Sequence, residues 1–223
     1  MPTLTQDGPL WTIDLGDDEN RFSPEWLGAA EGFLDDLAAS TESAALVTSG
    51  TGKFYSNGLD LDWLGAHPDE LGSYVGRVHA LFARVLTLPV PTVAAVNGHA
   101  FGAGAMLAMA HDFRVMRTDR GYFCFPEVDI HIPFTPGMNA LIISKLTPRT
   151  ALDAMATGRR YGGADATAVG IVDATASSEK LFETAAGFVR DLAGKDRATL
   201  GTIKARMFAD VVKALGAGNG DTA

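Results

Sequence analysis

With 47% hydrophobic and 20% charged residues, a 223-residue chain can bury the core of one large domain, which excludes an intrinsically disordered protein. A net charge of −9 without any run of Lys or Arg excludes nucleic acid as the expected partner. One cysteine, Cys124, excludes an internal disulfide and a cysteine-built metal site; between Phe123 and Phe125 it reads as a packed apolar thiol.

Leu10 to Leu15 alternates in polarity and predicts the first strand. After a polar turn, Ser23-Pro24-Glu25 supplies an N-cap and a first-turn proline for a helix to about Ser40, with Trp26, Leu27, Ala30, Phe33, Leu34 and Leu37 on one face. Ala44 to Ser49 predicts a second strand. It feeds a glycine-rich segment in which Asn57-Gly58 is the pair best suited to positive φ; an ordinary hairpin loop is the competing reading. Residues 62–72 are polar and interrupted by His and Pro, the composition of a mobile flap. The stripe from Tyr74 to Leu86 predicts a helix over residues 71–88, ending before Pro89.

Val90 to Val96 predicts a buried strand, and Gly102-Ala103-Gly104 then opens a helix of small and apolar residues. Such a turn presents backbone N–H groups, backed by the helix dipole, to whatever lies above it, although many Gly/Ala-rich junctions serve only packing. Asp112 to Met116 predicts another strand, and Glu127 follows as a lone carboxylate in apolar company. Were residues 127–131 a strand, Glu127, Asp129 and His131 would share a face and form a polar set; surface polar residues at a turn are the equal alternative. Helices are predicted over 138–146, 150–157 (closed by Gly158), 164–168, 179–193 and 198–215, with a short strand over 170–173 and a disordered tail over 216–223. Strands alternating with helices imply an α/β fold, with sites at the carboxyl ends of the strands, where the two glycine turns converge. No apolar run is long enough to span a membrane and the N-terminus lacks a signal-peptide pattern, so a cytoplasmic protein is expected. No His, Asp or Glu spacing suggests a metal site. His99 and His111 read as structural residues that bond backbone near the turn, and Asp60 as a helix cap.

Taken together, Ser49-Gly50, Phe54 to Asp60, Pro91 to Gly104, Asp112, Pro126-Glu127 and Gly158 to Asp173 resemble, in order, the motifs of the crotonase (enoyl-CoA hydratase/isomerase) superfamily. The resemblance implies a spiral of ββα units over residues 1–175 holding the acyl-CoA site. It also implies an oligomer-forming helical region over 176–215, and a homotrimer or a dimer of trimers. It places an oxyanion hole at the backbone N–H groups of Leu59 and Ala103, with Asn57, Gly58, Trp63, Leu64, Phe101, Gly102, Met106 and Phe134 as substrate-pocket candidates. Hydratases of the family use two glutamates. Here the first of those positions is Met106 and only the second, Glu127, carries a carboxylate. One base is poorly equipped for hydration but sufficient for a 1,3-proton shift. The stretches around Asn57 to Leu61 and Glu127 to Phe134 are also similar to the Δ3,Δ2-enoyl-CoA isomerase branch. The expectation is therefore an isomerase of acyl-CoA thioesters that needs no cofactor or metal. Another crotonase reaction on a CoA thioester, or a non-catalytic acyl-CoA-binding protein, remains the alternative. For the nucleotide end of CoA, Lys53, Arg84 and Lys204 are the cations considered.

Overall fold

A computed structural model describes residues 1–217. The chain opens on a hairpin, β1 (Thr3–Asp7) and β2 (Leu10–Asp14), turned at Gly8 with φ 55°. β1 is an exposed strand outside the predicted set; it pairs only with β2. Helix α1 (Pro24–Ala39) begins as expected, the Ser23 side chain accepting a hydrogen bond from the Trp26 N–H. Three successive excursions follow the same plan. β3 (Ala45–Ser49) leads to the short β4 (Phe54–Ser56) and then to α2 (Leu61–Ala66) and α3 (Leu71–Thr87). β5 (Thr92–Val96) leads to β6 (His99–Phe101) and α4 (Ala103–Ala110). β7 (Phe113–Arg117) leads to β8 (Phe123–Cys124) and α5 (Pro136–Lys145). The first strand of each excursion joins a six-stranded sheet of order β1-β2-β3-β5-β7-β9, the second a three-stranded parallel sheet of order β4-β6-β8. This is the expected ββα spiral.

α6 (Pro148–Thr157), α7 (Gly163–Ala168), β9 (Ala174–Ala176), α8 (Leu181–Val189), α9 (Arg197–Met207) and α10 (Ala209–Gly216) complete the described chain. All pairings of the large sheet are parallel except β1 with β2. Both faces are covered, so its strands read as continuous apolar runs. Leu46, Ala94, Val96 and Met116 face the main core, while Ala45, Val47, Val93, Ala95 and Val115 face α8 through Leu181, Ala185, Ala186 and Val189.

Four sequence expectations are corrected. Residues 62–72 are helical rather than an open flap, because Asp60 accepts a hydrogen bond from the Trp63 N–H and caps α2. Gly170 is in a turn and residues 171–173 are bends, and the strand lies just beyond at β9. The helix expected over 198–215 is two helices, α9 and α10, separated at Phe208. α10 continues through Gly216, where the tail was to begin; residues 218–223 of that expected tail lie outside the described residues. Among the described residues no helix is long and apolar enough to cross a membrane.

Candidate active site

Two turns, one after β4 and one after β6, meet at the carboxyl end of the small parallel sheet. Asn20 ties down the first. Its buried side-chain amide nitrogen donates to the carbonyls of Gly16, Phe54 and Tyr55, while its backbone carbonyl accepts from Ser56 Oγ at 2.7 Å. Ser56 Oγ in turn accepts the Gly58 N–H at 3.0 Å, and the Gly58 carbonyl accepts the Phe22 N–H at 2.8 Å. Asn97, at the end of β5, donates to Gly52 and Phe54 carbonyls and accepts the Gly50 N–H. Two asparagines thus fix a loop that has little regular structure of its own.

Gly58 has φ 82°, and Gly102, at the second turn, has φ 52° and ψ −123°. Both lie in conformations that favour glycine. The first of them also lies against the backbone of the second turn. A β-carbon on Gly58 would stand 2.8 Å from the Ala103 nitrogen and 3.0 Å from that of Gly104; one on Gly104 would stand 2.3 Å from the Ser56 carbonyl oxygen. The two turns therefore stack backbone on backbone. Among the described residues, the N–H groups of Leu59 and Ala103 donate to no protein acceptor. Ala103 is the first residue of α4, where the helix itself offers none.

Glu127 stands above this junction. It is 8% exposed, and its Oε2 has no hydrogen-bond partner among the described residues. Its Oε1 would lie 3.4 Å from a β-carbon on Gly102, so glycine there leaves the carboxylate room beside the turn. Burial pushes the Glu127 carboxyl up to about 7, against a smaller opposing hydrogen bond from its own backbone. The cavity that joins these parts has a volume of about 410 Å³. Its walls include Asn57, Leu59, Phe101, Gly102, Ala103, Met106 and Glu127, all expected from the sequence; Gly58 lies buried at the junction itself.

Other candidates fall elsewhere. Trp63 stacks on His67 at 4.4 Å and on Tyr74 at 5.3 Å, and Leu64 packs against the core, so neither lines the cavity. Phe134 lines an adjoining cavity. Glu127, Asp129 and His131 form no shared face. Hydrogen bonds from Asp129 N–H and Ile130 N–H to the Pro126 carbonyl fold the segment into turns, leaving Asp129 and His131 exposed while Glu127 is buried; of the two, His131 lines the adjoining cavity with Glu127. Of the CoA cations considered, Arg84 pairs with Asp35, Lys204 is buried against Asp112 and the Val90 carbonyl, and Lys53 lies over the Phe54 ring; none lines the cavity. The cations at its wall are instead Arg21, bound to Glu19 and Asp62, and Arg160, 5.7 Å from the Phe101 ring centroid. Ile130, Ile132, Pro133 and Met138 also line it without having been singled out. The alternation Val-Asp-Ile-His-Ile after Glu127 was the available signal for the isoleucines.

His111 is structural as expected. Its Nδ1 donates to the Leu107 carbonyl at 2.9 Å and its Nε2 meets Thr48 Oγ1 at 3.0 Å. Burial drives it down to about 3, so the ring is neutral. His99 differs: it is held by rings, Phe54, Phe101 and Tyr122, and its buried Nδ1 has no partner among the described residues. Cys124 is buried, its thiol donating to the Gly158 carbonyl and pushed up to about 11 by burial. Among the described residues no group of three or more His, Cys, Asp or Glu side chains is placed to hold a metal ion.

Unpaired backbone donors from two stacked turns, beside a desolvated carboxylate, make a site that can hold a developing oxyanion and move a proton next to it. The model of the enoyl-CoA hydratase/isomerase family matches residues 11–219, and the chain belongs to that family, within the crotonase superfamily. It is 37% identical over 207 residues to enoyl-CoA delta isomerase 3 of Arabidopsis thaliana, covering 87% of this chain and 86% of that one. It is 35% identical over 196 residues to a putative enoyl-CoA hydratase of Thermus thermophilus, covering 83% and 75%. Among solved structures, a probable enoyl-CoA hydratase of Mycobacterium tuberculosis superposes with a TM-score of 0.89 at 26% identity, covering 97% of this chain and 92% of that one.

Proposed function

We propose that the protein is an enoyl-CoA isomerase that moves the double bond of a 3-enoyl-CoA thioester to the 2-position with Glu127 as its single acid/base. The observation that carries this reading is the solitary Glu127 carboxylate, buried and with no partner on Oε2, at a site where Met106 fills the other position a second carboxylate would need. Asp62, the other carboxylate on the cavity wall, is exposed and paired with Arg21. The relatives named enoyl-CoA delta isomerase support the same reading.

In this mechanism the thioester oxygen accepts hydrogen bonds from the Leu59 and Ala103 N–H groups. Glu127 removes a proton from C2, and the negative charge spreads through the dienolate onto that oxygen. The protonated Glu127 then returns the proton at C4, leaving the double bond conjugated with the thioester. Each donor of such a hole is worth roughly 10²–10³ in rate. A carboxyl group poised near neutrality suits a residue that must be base in one half-step and acid in the next. The reaction balances without a cofactor or metal, and none is proposed. The proposed assembly is a homotrimer or a dimer of trimers in the cytoplasm. Apolar side chains left open on α9, Ile203 at 51% and Met207 at 68% exposure, support association through the C-terminal helices.

Product analysis tests the reading. Incubation with trans-3-hexenoyl-CoA should yield the conjugated 2-enoyl thioester as the first product, with no free CoA. Hydrolysis to free CoA, or formation of the 3-hydroxy thioester from 2-enoyl-CoA at a higher rate than isomerisation, would assign the site to another thioester reaction.

A further inference from the structure

At the end of the large sheet where β5 and β7 begin, α9 covers a cavity of about 550 Å³ that shares no lining residue with either cavity at Glu127. Its size falls within the usual range for small-molecule sites, about 300–1,000 Å³. We propose that it binds a small amphiphilic anion, a single carboxylate on an apolar body, with the carboxylate held by Lys145. This site is separate from the isomerase reading and does not depend on it.

The argument begins with charge. Three lysines and two aspartates line the cavity, one positive charge in excess on a chain whose net charge is −9. Lys204 bonds Asp112 at 2.6 Å, and Asp112 also accepts the Thr92 N–H, so that pair neutralises itself. Lys195 and Asp196 are exposed neighbours in the loop before α9, and Asp196 is engaged as its cap. Lys145, the last residue of α5, is the charge left over. It donates to the His111 carbonyl at 3.1 Å and lies 4.5 Å from the Phe208 ring centroid, but among the described residues it forms no salt bridge. An ammonium taken out of water needs a counter-ion, and a carbonyl and a ring face supply only part of one. Burial, helped by the nearby Arg114 cation, pushes Lys145 down to about 8, consistent with a charge whose compensation is incomplete. A carboxylate entering the cavity would accept from the ammonium hydrogens that the His111 carbonyl leaves free.

The rest of the lining sets the shape of the ligand. Lys204 is buried and Lys145 half-buried, whereas Ile203 and Met207 are open to solvent. The polar groups therefore lie at the inner end of the cavity and the apolar ones continue to its lip, with Phe113, Leu192 and Leu200 between. A ligand that matches this order goes in carboxylate first and lays an apolar body along α9. A polyanion does not match, because it would meet one uncompensated cation and the Asp112 carboxylate beside it. Ile203 and Met207 also belong to the face assigned above to association, so the lip is where a second copy would compete for the same space. The inner wall, with Lys145, is what favours the anion.

The test titrates the full chain with octanoate, octanol and octylamine by calorimetry, for the wild type, Lys145→Met, Lys145→Arg and Thr199→Trp. Thr199 is exposed on α9 at the rim of the cavity, so a tryptophan there fills space without disturbing the core. The wild type should bind octanoate about tenfold or more tightly than octanol, and octylamine not measurably. Lys145→Met should lose about 10- to 100-fold on octanoate while octanol stays within about twofold. Lys145→Arg, which keeps the charge, should recover most of the octanoate affinity and so separates the charge from a disturbed fold. Thr199→Trp should weaken octanoate and octanol alike. Saturating hexanoyl-CoA should leave octanoate binding unchanged, because the two sites share no residue. Octanoate binding that is equal in Lys145→Met, or that hexanoyl-CoA displaces, would overturn the proposal and place the carboxylate elsewhere. So would a wild type that ignores octanoate while Thr199→Trp changes its mass in light scattering, which would give the cavity to a second copy of the chain.

Discussion

The α-carbon of Gly58 is packed against the first residue of α4, so that a β-carbon there would stand 2.8 Å from the Ala103 nitrogen. This contact joins two turns that are 45 residues apart in sequence and sets the spacing of the Leu59 and Ala103 N–H groups. Gly58→Ala must either move the Ala103 turn or strain a backbone at φ 82°. Its kcat should fall by roughly 10²-fold, comparable to losing one oxyanion donor. Circular dichroism should show the fold retained, which separates displacement of the donors from unfolding.

Glu127 makes activity and stability respond to pH in opposite directions. Burial lifts its carboxyl from 4.5 to about 7, so kcat/KM should rise with pH and level off above about 7, where the base is ionised. In stability the sign reverses. Between about pH 4.5 and 7 the folded state holds a proton on Glu127 that the unfolded chain has released, so stability falls as pH rises through that window. The change is of order 3 kcal/mol. Urea titrations of the wild type and Glu127→Gln across this range should diverge, with the glutamine variant the more stable of the two above pH 7.

Met106 and Glu127 line the same cavity, and Met106 is 1% exposed. Met106→Glu would place a second carboxylate there, and like charges in a shared low-dielectric site cannot both ionise easily. The midpoint of the pH–rate profile should therefore shift upward from about 7, and stability should drop by about 2–4 kcal/mol. An unmoved midpoint would mean that the two side chains do not face one another.

Beneath α9, Lys204 is 5% exposed and bonded to Asp112 at 2.6 Å and to the Val90 carbonyl at 2.8 Å. Asp112 also accepts the Thr92 N–H and so ties the start of β5 to β7. Asp112→Ala leaves a buried ammonium without its carboxylate and should cost about 3–5 kcal/mol in chemical denaturation. The double variant Asp112→Ala/Lys204→Met should recover part of that loss, because it removes the stranded charge.

Much of this architecture is written locally. The runs Ala44–Ser49 and Val90–Val96 are buried on both faces and therefore read as uninterrupted apolar strands; Ser23-Pro24, Asp60 and Gly158 mark helix ends through side-chain caps or positive φ. What the sequence withheld depends on distant partners. β4, β6 and β8 are two or three residues long, too short to show a period, and are held by one another and by Asn20 and Asn97. The segment after Glu127 has the alternation of a strand, yet the Pro126 carbonyl collects two N–H groups and coils it into turns. That coiling sends Ile130 and Ile132 to the cavity wall and leaves Asp129 and His131 outside it. Trp63 shows the opposite failure: its apolar ring suited a pocket lining, but His67 and Tyr74 claim it.

The proposed mechanism needs one carboxylate, Glu127, to carry the proton. The most direct measurement is the isomerase rate on trans-3-hexenoyl-CoA, followed by absorbance of the conjugated thioester, for the wild type and Glu127→Gln, with acyl-CoA binding measured on both. Glutamine keeps the shape and cannot exchange a proton. Turnover should fall by about 10³-fold or more while binding is retained. Turnover that survives in Glu127→Gln would contradict the proposed mechanism and place the base on another residue.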